Sequence, residues 1–188
     1  MKIIFPNVYY KLKNCPADHR IPKDGSLFSL AGPNLGGGDW QKKACLLLEQ
    51  KVSGGKAVVA CPNHFSKTIG VQSDEVETFE DRLHWKQYYH DLASREGCLI
   101  FWLPVEDKNF PRSDGRPYAM MTRDEISTFR ERLARNHNLR IVIGAEEGFP
   151  GLAEIKRLNE ISLVAERLPI YSSLEETITA AVTMLSSI

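Results

Sequence analysis

The sequence lacks any apolar run close to the ~20 residues that a membrane-spanning helix requires, so we expect no transmembrane segment. Its first residues, MKIIFPNVYY, contain no proper apolar region and no small-residue cleavage site, so we expect no secretory leader. The sequence also lacks an excess of one charge, because 24 Lys and Arg residues balance 24 Asp and Glu residues. Without a net field to attract polyanions, we expect neither a nucleic acid polymer nor a membrane as a partner.

The four cysteines form no CxxC pair, and the five histidines show no HExxH motif or other paired spacing. The pattern therefore contains neither a zinc-site spacing nor a disulfide framework. Three of the cysteines lie inside apolar segments, which is typical of buried free thiols in a reducing compartment. We expect a cytoplasmic protein without a metal, with free thiols at Cys15, Cys45, Cys61 and Cys98.

The 188 residues, of which 43% are hydrophobic and 26% charged, suit one globular domain with a small extension. Within the extension, MKIIFPNVYYKLK has room for one strand, and a polar, proline-containing loop follows it. Regular alternation of strand and helix patterns starts after this loop. We therefore expect an N-terminal extension over residues 1–25 and an α/β domain over residues 26–188.

The domain alternates short apolar runs with longer helical patterns. Apolar runs predict strands at 27–33, 56–62, 98–104 and 139–145, with a shorter strand within 166–172. Helical patterns cover 39–51, 79–97, 122–138, part of 148–161, and 173–187. Because the strands are continuous apolar runs, both faces of the sheet should be covered. The sequence predicts a single open, mostly parallel five-stranded sheet with helices on both faces, and a ligand site beyond the carboxyl ends of the strands.

The loop AGPNLGGGDWQ follows the first strand of this domain. It combines Gly32 and Pro33 with three further glycines and a helix start for which Asp39 is a candidate N-cap. Backbone N–H groups and the helix dipole would face an anionic group there. The loop contains neither the GxGxxG nor the Walker sequence. A phosphate- or sugar-binding loop and a flexible connection are therefore equal alternatives.

Two carboxylates are candidates for catalysis. Asp91 lies near the end of the helix before the third strand, and Glu125 lies in the first turn of the helix after the long loop 106–121. We expect both near one edge of the sheet, where one carboxylate could attack a sugar carbon while the other handles the leaving group. The alternatives are structural, because Thr122-x-x-Glu125 is a capping box and Asp91 could lie on a solvated helix face.

Aromatic and basic side chains near these loops could bind a base, a sugar or a phosphate. Helical spacing makes packing the main alternative for the aromatic residues, and solvation is the alternative for the arginines. The aromatic candidates are Trp40, Phe65, Trp85, Tyr88, Tyr89 and Tyr118, and the arginines are Arg112, Arg116 and Arg123.

In their order and spacing, four segments resemble the nucleoside 2-deoxyribosyltransferase-like family. They are LFSLAGP followed by Trp40, REGCLIFWLP, MTRDEIS, and LRIVIGAEEGFPGLAEIK with PIYSSLEETI. MTRDEIS resembles the Thr-Asn-x-Glu-Phe-Gly segment that carries the family's catalytic glutamate, and REGCLIFWLP resembles its third strand. The likeness runs from about Ser26 to Ala181 and implies the family's flavodoxin-like, three-layer fold.

The resemblance implies a mechanism that needs neither metal nor cofactor. A glutamate attacks the anomeric carbon of a nucleoside or nucleotide and displaces the base, and a second base or water then takes the sugar. Glu125 would be the nucleophile, Asp91 would orient the sugar or assist proton transfer, and Asn63 would contact the base. The resemblance also implies a homo-oligomer, a dimer or larger. The substrate-binding residues would be Gly32, Pro33, Asn34, Trp40, Asn63, Arg123 and Asp124.

Departures from the family pattern keep other functions open. Glu96-Gly97 stands in place of the usual Ala-Asp, Arg123-Asp124 precedes the glutamate, and Ser127 replaces a glycine after it. These changes favour a nucleotide-binding sensor without turnover as the second hypothesis. A flavin-binding protein is the third, because the fold class permits it.

Overall fold

The structure, a computed structural model, describes residues 1–6, 26–62 and 79–186. In these residues it contains six strands and five α-helices. The strands are β1 (Lys2–Ile4), β2 (Ser26–Ala31), β3 (Ala57–Ala60), β4 (Cys98–Leu103), β5 (Ile141–Ala145) and β6 (Ile170–Tyr171). The helices are α1 (Trp40–Lys51), α2 (Phe79–Glu96), α3 (Met120–Arg135), α4 (Leu152–Ile161) and α5 (Leu174–Ser186). Across the described part of the chain, no helix has the length and apolar character needed to cross a membrane.

The six strands form one open sheet in the order β1-β3-β2-β4-β5-β6, and every neighbouring pair is parallel. The predicted α/β fold with a single open sheet is confirmed, with six strands rather than five and all of them parallel. The additional strand is β1, whose Ile3 lies opposite Val59 at the edge of the sheet. From β2 to β6, the strand order is the flavodoxin-like order 2-1-3-4-5.

Alternate side chains of the central strands are buried on opposite faces of the sheet. On β4, Ile100 packs with α1 and α5, whereas Leu99 and Phe101 pack with α3 and α4. Helix α2 covers the second of these faces over β2 and β3, where Trp85 and Tyr89 are fully buried. Burial on both faces explains why the strands are apolar at nearly every position. The domain therefore has three layers, which are α1 with α5, the sheet, and α2 with α3 and α4.

Three cysteines contribute to the packing of these layers. Cys45 in α1, Cys61 after β3 and Cys98 at the start of β4 are buried thiols that form no disulfide with a described residue. The prediction of free thiols is confirmed for these three residues, and Cys15 lies outside the described residues.

The helix starts agree with the sequence prediction at α5 and disagree with it at α3. At α5, Ser173 Oγ accepts a hydrogen bond from the Glu176 N–H at 3.2 Å, as the predicted capping box requires. Helix α3 begins two residues before Thr122, because Ala119 adopts left-handed backbone (φ 55°) immediately before it. Thr122 is therefore buried within the helix rather than capping it. The capping-box interpretation of Glu125 is wrong.

The chain changes direction across the sheet after β2. It passes from β2 to β3 on one side and then, through α2, to β4 on the other side of β2. The carboxyl ends of β2 and β4 consequently open a crevice at the switch point in strand order, where open α/β sheets bind ligands. The glycine-rich loop after β2 and the long loop after β4 both begin at this crevice.

Candidate functional site

A cleft of about 490 Å³ lies at this crevice, over the carboxyl ends of β2 and β3. Its lining comes from the turn after β2, the N-terminal half of α2, the long loop after β4 and the start of α3. Prolines and aliphatic side chains form much of the surface. The charged side chains that line it are Arg82, Lys86, Arg112, Asp114 and Arg116. Positive charge therefore predominates in the cleft.

Glu125 lies beside the cleft and contacts it through Lys86. Lys86 Nζ lies 2.5 Å from Glu125 Oε1, and the two side chains are only 19% and 16% exposed. The second carboxylate oxygen, Oε2, is buried and has no hydrogen-bond partner among the residues that the structure describes. At this distance the Coulomb attraction is roughly 7 kcal/mol for an effective dielectric constant of about 20, before the cost of desolvation. The pair fixes the carboxylate behind the wall of the cleft, where Lys86 lines the surface and Glu125 does not.

His90 lies one helical turn after Lys86 on α2 and packs beside this pair. Its Nδ1 is 2.8 Å from Ser29 Oγ, and its ring lies 6.4 Å from that of Phe129, one turn after Glu125 on α3. Burial, with a smaller effect of the Lys86 charge, lowers the pKa of His90 to about 3. His90 is therefore neutral at pH 7 and joins α2 to β2 and α3 without adding a charge.

The turn after β2 depends on close packing of its backbone. A Cβ at Gly32 would overlap the carbonyl oxygen of Trp102 and lie 2.6 Å from the ring of Trp40, so only glycine fits there. The buried Trp40 donates its indole N–H to the Pro33 carbonyl at 2.9 Å. Gly32 and Pro33 line the cleft, whereas Trp40 holds the turn and is not part of the lining. Direct contact of Trp40 with a ligand is not supported by this placement.

The start of α1 holds the next part of the turn. Gln41 is buried, and its Nε2 donates to Asn34 Oδ1 at 2.9 Å, which fixes the orientation of the Asn34 amide. Asp39 occupies the predicted N-cap position, but its carboxylate pairs with Lys43 at 2.8 Å instead of capping the helix. Asn34 lines the cleft and is exposed, so its role as a ligand contact stays a prediction.

The long loop after β4 brings a charged cluster to the cleft. Arg112 and Asp114 form a two-pronged ion pair, in which Arg112 Nε contacts Oδ1 and Nη2 lies 2.7 Å from Oδ2. The backbone N–H of Arg116 also donates to Asp114 Oδ1 at 3.2 Å. The hydrogen bonds from the Arg112 guanidinium lower the pKa of Asp114 to about 2, and the Arg116 N–H contributes a smaller effect in the same direction. Both members of the pair are therefore charged at neutral pH.

The long loop is also bonded to the glycine-rich loop. The Asp107 N–H donates to the Gly36 carbonyl at 2.7 Å. Within the long loop, the Glu106 carboxylate accepts a hydrogen bond from the Arg112 N–H at 2.8 Å. These bonds place Arg112 relative to the turn after β2, so two loops that are far apart in sequence form one continuous lining.

Asp91 does not approach Glu125, so the prediction that these carboxylates share one pocket is wrong. Asp91 is 45% exposed and pairs with Arg95 at 2.7 Å and with Arg132 at 3.1 Å. Arg132 follows Glu125 by two helical turns, a rise of about 10 Å along α3. The reason is the direction of α2, which runs from the carboxyl edge of the sheet to its amino edge and places Asp91 near the latter. The solvated helix face is the correct interpretation of Asp91.

Two other predicted contacts, Arg123 and Asp124, are not part of the cleft lining. Arg123 donates from Nη2 to the Tyr118 carbonyl at 3.3 Å, and Asp124 is exposed. Successive helical residues point about 100° apart, so the two residues before Glu125 do not share the side on which it meets α2. Asn63 lies outside the described residues, and its contact with a base stays a prediction.

The aromatic candidates on α2 belong to the core. Trp85 and Tyr89 are fully buried with ring centroids 4.9 Å apart, and Tyr88 meets Tyr89 edge-on at 5.1 Å. Tyr118 is also buried and donates its hydroxyl to a backbone carbonyl at 2.9 Å. Packing is therefore the correct interpretation of these four residues, and Phe65 lies outside the described part of the chain.

Gly97, which stands where the family that the sequence resembles has aspartate, is required by close packing. Gly97 follows α2 where the helix meets the sheet, and a Cβ there would overlap the backbone carbonyl of Leu27 in β2. No side chain fits at this distance. The glycine in place of aspartate therefore reflects a close contact between α2 and β2, and not a change in the chemistry of the cleft.

Arg82, Lys86 and Asp114 were not identified as site residues from the sequence. Helical spacing shows that Arg82 and Lys86 share one face of α2, but it does not show which neighbour that face meets. Asp114 lies in a long loop without periodicity. Its spacing of two residues from Arg112 was the available signal, because an acid and an arginine so close in a loop can pair.

The described side chains of the cleft can bind an anion, and the Glu125 carboxylate lies beside them. Basic residues in a cleft can bind a phosphate or carboxylate group. Leu35 and Met121 also line the cleft and are 56% and 36% exposed, which provides apolar surface for a ring. Within the described ranges, no group of three or more His, Cys, Asp or Glu side chains could hold a metal ion.

No protein-family model matches the chain, and no curated protein matches it either. The likeness to the nucleoside 2-deoxyribosyltransferase-like family therefore rests on the segments of the sequence itself.

Proposed function

We propose that the cleft binds a nucleoside or nucleotide and that the protein breaks its N-glycosidic bond with Glu125 as the nucleophile. The observation that carries this proposal is the environment of Glu125. Its carboxylate lies beside the cleft and is held on one oxygen by Lys86, and its other, buried oxygen has no hydrogen-bond partner within the described ranges. The structural alternative, a helix cap, does not apply to it. The position of the cleft at the switch point and its basic and apolar lining also support a nucleotide-like ligand.

In the proposed reaction, the Glu125 carboxylate turns toward the cleft when the ligand binds, and one of its oxygens attacks the anomeric carbon of the sugar. A C–O bond to the carboxylate forms as the C–N bond breaks, and the electron pair of the C–N bond leaves with the base. The Lys86 ammonium donates a proton to the departing base. Water or a second base then attacks the same carbon, releases the carboxylate and returns a proton to Lys86. Water as the acceptor makes the protein a hydrolase, and a base as the acceptor makes it a transferase.

The test is chromatography of a panel of nucleosides and nucleoside 5′-monophosphates after incubation with the protein. Free base formed without an added acceptor identifies a hydrolase, and a new nucleoside formed only with an acceptor base identifies a transferase. Glu125→Gln should lower turnover by about a thousandfold or more, because an amide is a poor nucleophile. Thermal melting establishes that this variant is folded.

Glu131→Gln is the matched control for this experiment. Glu131 lies on the same helix, is 68% exposed and pairs with Arg135. Its substitution removes the same charge from α3 without reaching the cleft, so turnover should stay at the level of the unsubstituted protein. If a folded Glu125→Gln variant has the same turnover as this control, Glu125 is not the nucleophile.

A nucleotide-binding sensor without turnover is the second candidate, and the ion pair of Glu125 favours it. A carboxylate held 2.5 Å from an ammonium is a weaker nucleophile than a free one, because the ammonium stabilises its charge. This alternative predicts that a nucleoside 5′-monophosphate raises the melting temperature while no base is released. Release of free base or sugar on long incubation excludes it.

We also propose that the protein is a homo-oligomer, as the sequence resemblance implies. In that arrangement a neighbouring subunit completes the cleft. Sedimentation should give a mass of at least twice 21.3 kDa, and a monomer at high protein concentration contradicts the proposal.

A further inference from the structure

Asp114 is the one acidic side chain among the described residues that line the cleft, and it is bonded to Arg112. Both carboxylate oxygens contact the guanidinium, through Nε and Nη2. This two-pronged geometry is the one in which arginine binds a phosphate group. The Arg112 side chain is 13% exposed, whereas that of Asp114 is 37% exposed. The acid therefore covers the arginine on the side that faces solvent.

The surrounding charges suit a ligand more negative than one carboxylate. Lys86 is already paired with Glu125, and Arg112 is paired with Asp114. The exposed side chain of Arg116 adds a further positive charge to the same lining. A phosphate monoester carries a charge of about −1.5 to −2 at pH 7 and three acceptor oxygens. A phosphate monoester can therefore hydrogen-bond the Arg112 guanidinium and attract Arg116 at the same time. A single carboxylate on Arg112 has less charge and fewer acceptor oxygens for a second arginine.

The backbone beside Asp114 allows this side chain to move away. Gly115 follows it with φ 73°, and a Cβ at Gly115 would meet no atom within 4 Å. On the side where a Cβ would stand, the backbone at Gly115 is therefore not packed against other residues. The Asp114 side chain is already 37% exposed, so its displacement from Arg112 moves a carboxylate that reaches water in the empty cleft.

We propose that Asp114 occupies the place on Arg112 that the phosphate of a nucleoside 5′-monophosphate takes, and that the phosphate binds by displacing it. Asp114 acts as an internal competitor that neutralises Arg112 in the empty cleft. The phosphorylated nucleotide, and not the nucleoside, is then the preferred ligand. The nucleoside part of this ligand rests on the proposed function, whereas the phosphate site rests on the Arg112–Asp114 pair.

The test measures dissociation constants by calorimetry for a nucleoside 5′-monophosphate, the matching nucleoside and inorganic phosphate, at constant salt. Asp114→Asn should bind the monophosphate and inorganic phosphate about tenfold more tightly than the unsubstituted protein, because the charged competitor is removed. Its affinity for the nucleoside should stay the same. Arg112→Met should lose the preference for the monophosphate, so that this ligand binds about as weakly as the nucleoside.

Asp107→Asn is the matched control, since Asp107 lies in the same loop and carries the same charge. Its Oδ1 accepts a hydrogen bond from the backbone two residues later, at Asn109, as Asp114 does at Arg116. Its substitution changes the net charge equally without removing a competitor from Arg112, so phosphate affinity should change by less than about twofold. A gain in Asp107→Asn equal to that in Asp114→Asn overturns the proposal, because the effect is then one of net charge.

Binding and turnover separate this proposal from the proposed function. Phosphate-dependent binding that responds to Asp114 and Arg112, without release of base, supports the phosphate site and contradicts the glycosidic reaction. Base release at equal rates from nucleosides and monophosphates, with equal affinities for both, supports the reaction and overturns the phosphate site. If no variant binds the monophosphate or inorganic phosphate, the phosphate site is also wrong.

Discussion

Mild acid should destabilise the protein through His90. This side chain is completely buried between β2, α2 and α3, with Ser29, Lys86 and Phe129 around it, and its pKa is lowered to about 3. In the unfolded chain its pKa returns to the ordinary value of about 6.5. Between pH 6.5 and pH 3 the unfolded state therefore binds a proton that the folded state does not bind. The free energy of unfolding falls as the pH falls through this window.

The magnitude follows from the difference between the two pKa values. Each pH unit between 6.5 and 3 removes about 1.4 kcal/mol. A decrease from pH 7 to pH 5 should therefore remove about 2 kcal/mol, a large part of the roughly 5–15 kcal/mol stability of a typical domain.

The assay is urea unfolding followed by circular dichroism at pH 7 and pH 5. His90→Asn keeps a polar atom near the position of Nδ1 for Ser29 Oγ but has no group that titrates. The variant should be less stable than the unsubstituted protein at pH 7, because the smaller side chain leaves a cavity. Its loss between pH 7 and pH 5 should be smaller by about 2 kcal/mol.

His84→Asn is the control, because His84 lies on the same helix and the variant keeps His90. It should show the same acid-induced loss through His90 as the unsubstituted protein. If His90→Asn and the unsubstituted protein lose equal stability between pH 7 and pH 5, the neutral, buried state of His90 is refuted. A titration of the His90 ring by nuclear magnetic resonance gives an independent result, since the ring should stay neutral at pH 5.

Other substitutions test the packing and charges around the cleft by urea unfolding at pH 7. Lys86→Met should lower the free energy of unfolding by about 2 kcal/mol, because the Glu125 carboxylate loses its partner. The double variant with Glu125→Leu should recover most of this loss, and additive effects of the two substitutions would contradict the pairing. Gly32→Ala should cost about 2 kcal/mol, because the new Cβ overlaps the Trp102 carbonyl oxygen, and a change below about 0.5 kcal/mol would show that the turn can relax. Arg130→Met should increase stability by about 1 kcal/mol, since Nε and Nη1 of Arg130 are buried and have no hydrogen-bond partner in the described part of the chain. Arg132→Met should instead lower stability, because it removes the ion pair with Asp91 and a contact 5.0 Å above the Phe129 ring. A gain in stability would contradict the inference that Arg132 has stabilising partners and Arg130 does not.

The layers of the fold were predictable because the strands are buried on both faces. Continuous apolar runs such as CLIFWL in β4 are explained only by helices on each side of a parallel sheet. β1 was predicted as an available strand but not placed, because a three-residue edge strand carries little pattern. Its pairing with β3 depends on contacts between residues that are far apart in sequence.

The candidate site was predictable where it depends on backbone position, and it was missed where it depends on the orientation of helices. Gly32 and Pro33 line the cleft because they follow a strand at the switch point. The failure at Asp91 was avoidable, since a residue near the end of the helix before β4 must lie near the amino edge of the sheet. The pairing of Lys86 with Glu125 was not predictable, because it requires the rotation of α2 relative to α3.

The bond between Asp107 and Gly36 has a mechanical consequence. It fastens the loop that carries Arg112 to the glycine-rich loop that carries Asn34, so a displacement of one pulls on the other. The glycine-rich loop leads directly into α1, and Gln41 of that helix also holds the Asn34 amide. Hydrogen bonds and chain continuity therefore link the long loop to the helix that packs against α5 on the opposite face of the sheet.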